Sequence, residues 1–307
     1  MRILVTGASG LIGRALVPFL TTKGHRLLRL VRSDAASGPD NVSWSPTTGT
    51  LDLAALRDLE AVIHLAGENI FGLWTARKKA RIRDSRAKPT RLLCESLAQL
   101  SPPPRVFACA SAVGYYGDRG AEVLREESPP GNSFLAEVCR EWEAATQVAS
   151  DCGIRVVNLR FGIILTPAGG ALATMLLPFR LGLGGRFGSG RQFMSWISLD
   201  DVLEVVRYAI ATEALRGPVN VVAPNPVTNL EFTRTLGRVL SRPILFPVPA
   251  FAAHLALGEM ADELLLASAC AEPARLLATG FRFRFPELEG ALRHLLSKTT
   301  LIGLEPI

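Results

Sequence analysis

The chain has 307 residues, of which 48% are hydrophobic, 20% are charged and 7% are aromatic. This composition excludes an intrinsically disordered chain, and the length excludes a small disulfide-stapled scaffold. The net charge of +6 is local, because residues 77–91 hold eight basic residues and one acidic residue, Asp84. The rest of the chain, with 26 basic and 27 acidic residues, is close to neutral. A nucleic-acid-binding protein tends to have a broad basic face with aromatic residues among the charges. We therefore expect no nucleic-acid partner.

The cysteines are odd in number and form no CxxC pair, which predicts reduced thiols rather than a disulfide framework or a zinc site. They are Cys94, Cys109, Cys139, Cys152 and Cys270. The four histidines do not cluster, so no metal site is expected. The most apolar later stretches, 161–185 and 244–257, are interrupted by prolines. Neither is a plausible membrane span. The sequence thus predicts a cytoplasmic protein without a membrane partner.

Short, nearly continuous apolar runs alternate with helical patterns along the first half of the chain, which predicts a parallel sheet covered on both faces. The predicted strands are 2–6, 26–31, 61–66, 106–110 and 155–159, and the predicted helices are 11–22, 75–99, 134–151, 171–182, 229–240 and 252–278. The fold class that follows is α/β, a Rossmann-like doubly wound parallel sheet with a smaller C-terminal substrate or cap domain. We expect residues 1–165 to form the Rossmann-like domain, later strands to come from about 190–225, and residues 166–307 to form mainly the cap.

The strongest motif is TGASGLIG at residues 6–13, a GxxGxxG pattern that directly follows a strand and opens a helix. In such a loop one glycine permits the tight turn, another lets backbone N–H groups approach a pyrophosphate, and the third lets helix and strand pack closely. The helix N-terminus adds partial positive charge. The motif predicts a dinucleotide site. Its expected contacts are Gly7, Ser9, Gly10, Leu11, Ile12 and Gly13.

The end of the second strand predicts which dinucleotide is bound. An NAD-selective site places an acidic residue there to hold the ribose 2′-hydroxyl, whereas this chain has Arg32 and Ser33. An arginine at this place suits the 2′-phosphate of NADP(H), with a charge-assisted hydrogen bond contributing roughly 1.5–3 kcal/mol. Asp34 leaves an alternative open, because it could turn inward and bind a ribose hydroxyl instead.

Several motifs together resemble the extended short-chain dehydrogenase/reductases, in the subgroup of NAD-dependent epimerase/dehydratase-like proteins often labelled nucleoside-diphosphate-sugar epimerases. They are TGASGLIG, HLAGEN (64–69), SR (85–86), SAVGYYG (111–117), MLLPFRLGLGG (175–185) and GSGRQFMSWISLDD (188–201). The stretch 276–292 is similar to the C-terminal domain of unknown function in that subgroup. The resemblance implies a seven-stranded sheet and bound NADP(H).

The resemblance also implies further site residues. Additional cofactor contacts would be Leu65, Ala66, Gly67, Arg86, Phe161, Gly162 and Ile163. The substrate side would include Phe179, Arg180, Arg191, Gln192, Met194, Ser195 and Trp196.

The catalytic pair of that superfamily, a Tyr followed by a Lys four residues later, is missing. The helix that should carry it reads SFLAEVCREWEAA (133–145), and alignment on Glu143 puts Leu135 in the Tyr place and Cys139 in the Lys place. Ser111 stays a catalytic candidate because it directly follows an apolar strand, although a shift of one residue would put Ala112 there. Tyr116 is a second candidate, as a proton donor.

Two functional hypotheses remain open from the sequence. The first is an NADP(H)-dependent oxidoreductase or epimerase acting on a small hydroxyl- or carbonyl-bearing molecule, with a nucleotide sugar as one candidate substrate. The second is a non-catalytic NADP(H)-binding sensor or regulatory module, which the absent Tyr and Lys favour. A homodimer is a candidate assembly.

Overall fold

The structure is a computed structural model that describes residues 1–32, 38, 40–46 and 50–300. The described strands are β1 (Arg2–Thr6), β2 (Arg26–Val31), β3 (Asn41–Ser45), β4 (Thr50–Leu51), β5 (Ala61–His64), β6 (Val106–Ala112), β7 (Val123–Leu124), β8 (Arg155–Phe161), β9 (Ile163–Leu165), β10 (Phe193–Met194), β11 (Trp196–Ser198), β12 (Gly217–Val221), β13 (Val227–Thr228) and β14 (Cys270–Ala271).

The described α-helices are α1 (Leu11–Thr22), α2 (Ala76–Asp84), α3 (Ala87–Ala98), α4 (Phe134–Ala145), α5 (Gln147–Asp151), α6 (Gly170–Arg180), α7 (Leu199–Ala211), α8 (Asn229–Leu240), α9 (Ala250–Leu257), α10 (Glu259–Ala261), α11 (Ala274–Ala278) and α12 (Leu288–Thr300). Short 3₁₀ turns cover Ala54–Leu56 and Val113–Tyr116, and a π-turn covers Asp262–Leu266.

The main sheet has the order β12-β8-β6-β5-β1-β2-β3-β4. Its first seven strands pair in parallel, and the short β4 adds an antiparallel edge. The chain builds outward from β1 through β2 and β3, then returns to the other side of β1 with β5. In doubly wound sheets ligands bind outside the carboxyl ends of the strands at this point of reversal. The reversal places Thr6 directly opposite His64, the last residues of β1 and β5.

Two apolar cores hold the molecule together. The larger core lies on the main sheet and includes side chains as late in the chain as Phe281. The smaller core joins α6, α8, α12 and β9–β11, with Trp196 fully buried. Helix α8 begins with a capping box, in which Thr228 and Glu231 satisfy each other's backbone N–H groups. The later part of the chain therefore supplies both the outer strand β12 and a separate small core.

Several predicted elements end elsewhere in the structure. Strands β6 and β8 each run two residues beyond their predicted ends, and the single helix predicted over 75–99 breaks near Ser85. Helix α7 begins at Leu199 with Ser198 as its N-cap. Asp201, in the first turn of α7, accepts hydrogen bonds from the backbone N–H groups of Arg284 and Phe285.

Across the described part of the chain, no helix combines the length and apolar character needed to cross a bilayer. The same residues contain no group of three or more His, Cys, Asp or Glu side chains arranged to hold a metal ion.

Candidate functional site

The glycine loop is held in a shape that side chains would block. Gly7 has φ +66°, and a Cβ on it would lie 2.7 Å from the carbonyl carbon of Leu65. A Cβ on Gly13 would lie 2.3 Å from the carbonyl oxygen of Gly7. Gly10 closes the turn by donating its N–H to the same oxygen at 2.9 Å. The loop therefore packs against the end of β5 and against the first turn of α1, at the reversal point of the sheet.

The N-terminus of α1 is open to an anion. Its N-cap is Gly10, which has no side chain, and no described side chain caps the helix. The first turn carries no acidic residue. Backbone N–H groups at such an end are unsatisfied and carry partial positive charge, the arrangement that binds phosphate groups. Leu11 and Ile12 lie at this end of the helix, close to the predicted phosphate position.

A buried hydrogen-bond chain joins the loop to the helix layer. The Thr6 hydroxyl accepts from the N–H groups of Leu65 and Ala66 at 3.1 and 3.2 Å. It lies 2.8 Å from His64 Nδ1, and His64 Nε2 lies 2.9 Å from the Thr90 hydroxyl. Thr90 in turn donates to the Arg86 carbonyl oxygen at 2.7 Å. This chain of hydrogen bonds fixes the segment after β5 against the end of β1 and against α3.

The hydrogen bonds determine the proton positions on His64. A Thr6 hydroxyl that accepts two N–H groups donates its own hydrogen to Nδ1, so Nε2 carries the ring hydrogen and donates it to Thr90. Complete burial lowers the pKa of His64 to about 4, so the ring is neutral near pH 7. Its role is structural, as expected for a histidine inside a sheet.

Arg86 is a half-buried cation beside the predicted cofactor path. Its guanidinium donates to the carbonyl oxygens of Ile82 and Glu68 at 2.9 and 3.0 Å. It lies over the Trp142 ring, 5.0 Å from the ring centroid, and a Cβ on Gly67 would come within 3.3 Å of its central carbon. The Glu68 carboxylate pairs with Lys78 and Arg81 instead. Within the described residues Arg86 thus has no ion-pair partner.

The predicted selectivity residues lie at the edge of this site. Arg32 directly follows β2 and is exposed to solvent. Ser33 and the alternative residue Asp34 lie outside the described residues. Because β2 neighbours β1, the arginine emerges on the same carboxyl edge of the sheet as the glycine loop.

The end of β8 forms the other wall of the carboxyl edge. Phe161 is its last residue, and Gly162 lies so close to β11 that a Cβ there would be 2.4 Å from the Ser195 carbonyl oxygen. Ile163 donates its N–H to that same oxygen at 2.8 Å. The three residues predicted beside the nicotinamide therefore form a rigid connection between the main sheet and the smaller core.

Ser111 is tied into a buried ion pair. Its hydroxyl donates to Glu143 Oε1 at 2.7 Å, and the Arg160 guanidinium donates one hydrogen bond of 2.8 Å to each oxygen of that carboxylate. Ser111 is 3% exposed, whereas the next residue, Ala112, is half-buried at the strand end. Since a carboxylate only accepts, the Ser111 hydrogen is committed to Glu143. The sequence left open whether Ser111 or Ala112 occupies the serine position at the end of the strand. Of the two residues, Ala112 is the more exposed at the carboxyl edge of the sheet.

Tyr116 is enclosed on all sides. The side chain is fully buried, and its hydroxyl lies 2.7 Å from Asn220 Oδ1 and accepts from Arg160 Nη1 at 2.9 Å. Burial raises the pKa of the phenol to about 12. Arg160 also lies 3.5 Å from the centre of the Tyr115 ring. In this state neither Ser111 nor Tyr116 presents a free proton to a substrate.

The two positions that the sequence aligns with the catalytic pair hold a leucine and a cysteine. Leu135 is buried, and a Cβ added to Gly114 would lie 3.4 Å from the Cβ of Leu135. Cys139 is also buried, and burial raises the pKa of its thiol to about 11. At neutral pH the thiol is uncharged and cannot lower the pKa of a neighbouring hydroxyl.

The polar side chains predicted for the substrate side are largely occupied within the protein. Gln192 donates to the carbonyl oxygens of Phe187 and Leu265, and Ser195 donates to that of Ala269. Phe179, Met194 and Trp196 are buried, while Arg180 and Arg191 are exposed. Gln192 and Ser195 therefore tie the cap together by hydrogen bonds, whereas the side chains of Arg180 and Arg191 form no ion pair among the described residues.

The sequence reasoning missed two functional positions. Thr6 and Thr90 orient the loop and the start of α3 through His64. The sequence could have indicated Thr6, because it is the last residue of the predicted strand before Gly7. Thr90 had no such signal, since nothing in a helical pattern marks the one hydroxyl that faces a strand 26 residues earlier.

Comparisons with known proteins agree with this geometry. The sequence profile described as the NAD dependent epimerase/dehydratase family matches residues 3–222. A domain of unknown function, DUF1731, matches residues 248–295. The epimerase family protein Mb2239 of Mycobacterium bovis is 43% identical over 291 residues, covering 94% of this chain and 96% of the relative. The epimerase family protein SDR39U1 of Bos taurus is 36% identical over 302 residues, covering 97% and 100%.

A solved structure is also similar over nearly the whole chain. The crystal structure of the human epimerase family protein SDR39U1 (isoform 2) with NADPH superposes with a TM-score of 0.88 at 34% identity, covering 97% of this chain and 99% of that one. Several more distant epimerases share the fold at 17–20% identity. The profile match, the relatives and the doubly wound sheet agree, and the chain belongs to the NAD dependent epimerase/dehydratase family.

Proposed function

We propose that this protein binds NADP(H) and uses it to oxidise, reduce or epimerise a small hydroxyl- or carbonyl-bearing molecule. The observation that carries the proposal is the paired anion site at the reversal of the sheet. There the glycine loop before the uncapped N-terminus of α1 packs against Leu65, and the Arg86 guanidinium, which has no ion-pair partner among the described residues, packs against Gly67. A half-buried cation without an acidic partner suits a polyanion such as a dinucleotide phosphate. The NADPH bound by the human relative supports the same cofactor.

When bound, the cofactor supplies the hydride, and the protein supplies position and polarity. The loop Gly7–Gly13 and Arg86 would hold the phosphates, Arg32 and Ser33 the ribose 2′-phosphate, and Phe161–Ile163 the wall beside the nicotinamide. Because the hydroxyls of Ser111 and Tyr116 already have internal partners, we propose that the proton that balances hydride transfer comes from ordered water. A nucleotide sugar stays a candidate substrate, for which Arg180 and Arg191 are the available cations.

A second candidate function is a non-catalytic NADP(H) sensor. It is favoured by the buried Leu135 and Cys139 in place of a proton-transferring pair. Such a module would bind both redox forms and change its surface without turnover.

The first experiment is a fluorescence titration of the purified chain with NADPH and with NADH. Arg32→Asp is compared with Arg26→Asp, an exposed arginine at the opposite end of the same strand. The proposal expects NADPH to bind more tightly than NADH, and Arg32→Asp alone to weaken NADPH about 10- to 150-fold. Equal affinity for NADPH and NADH would contradict the assignment of Arg32 to the cofactor site. Binding of neither would overturn the cofactor assignment.

Turnover separates the two functions. Single-turnover oxidation of bound NADPH is followed with a panel of carbonyl compounds that includes oxidised nucleotide sugars. Hydride loss that depends on the carbonyl supports the enzyme, whereas tight NADPH binding with no loss across the panel supports the sensor.

A further inference from the structure

Exposed large apolar side chains are concentrated in a few segments, most of them on the cap. Nine of the eleven large hydrophobic side chains found exposed among the described residues lie in three segments, 71–73, 177–183 and 245–255. They are Phe71, Leu73, Leu177, Leu181, Leu183, Leu245, Phe246, Phe251 and Leu255. Scattered exposed hydrophobics are ordinary on a protein surface, but a concentration of them marks an interaction site.

Contacts beside the three segments link them to one another, and their exposed side chains are here called the apolar face. A Cβ on Gly258, directly after α9, would lie 3.5 Å from Leu73, and Gly72 donates its N–H to the Met260 sulfur. On the other side, Val248 exchanges backbone hydrogen bonds with the turn after α6, donating to the Arg186 carbonyl at 2.8 Å.

Helix α9 is the centre of this face. Its sequence, AFAAHLAL, is apolar on nearly every side, and a helix of that kind is normally buried. Here Phe251 is 75% exposed and Leu255 is 84% exposed. The only strongly polar side chain in the helix, His254, pairs with Asp262 at 2.8 Å. Most of the surface of Phe251 and of Leu255 is left uncovered by the described residues.

The segments that contain the apolar face carry a net positive charge. The residues 68–83, 177–191 and 242–263, which contain it, hold nine basic and four acidic residues, so they carry most of the net charge of the chain. Glu68 and Glu259 are used in ion pairs with lysines of α2. Among the described residues, the exposed Arg77, Arg180 and Arg191 form no ion pair. An apolar centre with a basic border is the pattern of proteins that lie on anionic lipid surfaces.

We propose that the apolar face docks on an anionic membrane surface, with Phe251 and Leu255 entering the headgroup boundary and the surrounding arginines facing lipid phosphates. Docking of this kind needs no membrane span. It therefore agrees with the absence of a spanning helix among the described residues, while it replaces the expectation that the protein has no membrane partner. The surface lies on the cap, which also bears the residues predicted for the substrate side, so a substrate could reach the site from the lipid.

The test is flotation of the full chain with vesicles of phosphatidylcholine alone and of phosphatidylcholine mixed with phosphatidylglycerol. We expect binding to the anionic vesicles that weakens as salt rises, because exposed charges are screened. The double variant Phe251→Ser, Leu255→Ser should bind at least about tenfold more weakly, since two large apolar side chains no longer leave water. Arg77→Gln, which changes an exposed arginine outside the proposed substrate site, should weaken the preference for anionic vesicles.

Leu277→Ser is the matched control, because Leu277 is 49% exposed on α11, outside the apolar face. Unchanged NADPH affinity and melting temperature in the variants would show that they are folded. No binding of the wild type to anionic vesicles, or equal loss in the Leu277 variant, would overturn the proposal. It would also be overturned if light scattering showed a wild-type dimer that the Phe251, Leu255 variant dissociates, because a second copy would then cover this face.

Discussion

Ser111 and Glu143 join the end of β6 to the last turn of α4 through one hydrogen bond of 2.7 Å, and Arg160 completes the link from β8. The Arg160 side chain is 3% exposed and that of Glu143 is 12% exposed, so the pair is removed from water. A pair of this kind orients neighbouring groups more than it stabilises the fold, because desolvation offsets much of the attraction. Because Arg160 directly precedes Phe161, the pair braces the end of β8 that the cofactor would contact.

Removing one partner of the brace should be costly. Glu143→Ala leaves the Arg160 guanidinium buried without its carboxylate, and we expect a loss of about 3–5 kcal/mol in the free energy of unfolding. Ser111→Ala removes only one hydrogen bond, and we expect about 1 kcal/mol. Urea unfolding of both variants measures the difference.

The Ser111→Ala variant also distinguishes a structural role of Ser111 from a catalytic one. We expect Ser111→Ala to keep the single-turnover rate of hydride transfer within about threefold, because in the proposed function water rather than the serine supplies the proton. A rate loss of more than about tenfold in a variant of nearly normal stability would restore Ser111 as a catalytic residue.

Stability should depend on pH through His64. Burial lowers its folded pKa from 6.5 to about 4, so between these values the unfolded chain holds a proton that the folded chain does not. The free energy of unfolding therefore falls as pH drops from about 6.5 to about 4, by up to about 3 kcal/mol from this one group. His64→Gln cannot take up that proton. The difference in unfolding free energy between wild type and His64→Gln should shrink across this window. Two parallel curves would show that His64 does not titrate in this way.

The glycine loop gives a test of the dinucleotide site with an internal control. Gly13→Ala would place a methyl group 2.3 Å from the Gly7 carbonyl oxygen, so the loop or α1 must move. We expect NADPH affinity to fall more than about 100-fold. Gly290→Ala, on the exposed face of α12 with nothing within 4 Å of the new Cβ, should leave affinity unchanged and stabilise the helix by about 0.5–1 kcal/mol. Equal NADPH affinity in both variants would contradict the assignment of the loop.

Sequence patterns predicted the parallel sheet and the glycine loop because both depend on local features. Strands β1 and β2 and helices α1 and α8 have the predicted bounds, since each combines a continuous apolar or helical pattern with clear ends. The break between α2 and α3 was not predicted, because the charge pattern continues through Ser85 and only tertiary hydrogen bonds to Glu68 mark the break.

The state of the candidate catalytic residues could not be predicted either. Whether the Ser111 hydroxyl faces a substrate or a buried carboxylate depends on Glu143 and Arg160, which lie 32 and 49 positions away in the chain and meet only in the folded sheet. A strand-end serine has the same local sequence in both cases. The same holds for Tyr116, whose enclosure requires Asn220 on the outermost strand β12.

Arg86 offers the sharpest test of how the cofactor is held. Its planar guanidinium rests over the Trp142 ring and beside Gly67, with no acidic partner among the described residues. Arg86→Gln should weaken NADPH binding about 10- to 150-fold, the scale of one charge-assisted hydrogen bond of roughly 1.5–3 kcal/mol. Arg86→Lys should recover only part of this, because a lysine keeps the charge but loses the stacked fork. Lys88→Gln, an exposed cation of the same helix α3, should bind NADPH like the wild type. If Arg86→Gln and Lys88→Gln bind equally well, the guanidinium serves only the segment 67–68, and the phosphates are held by the glycine loop alone.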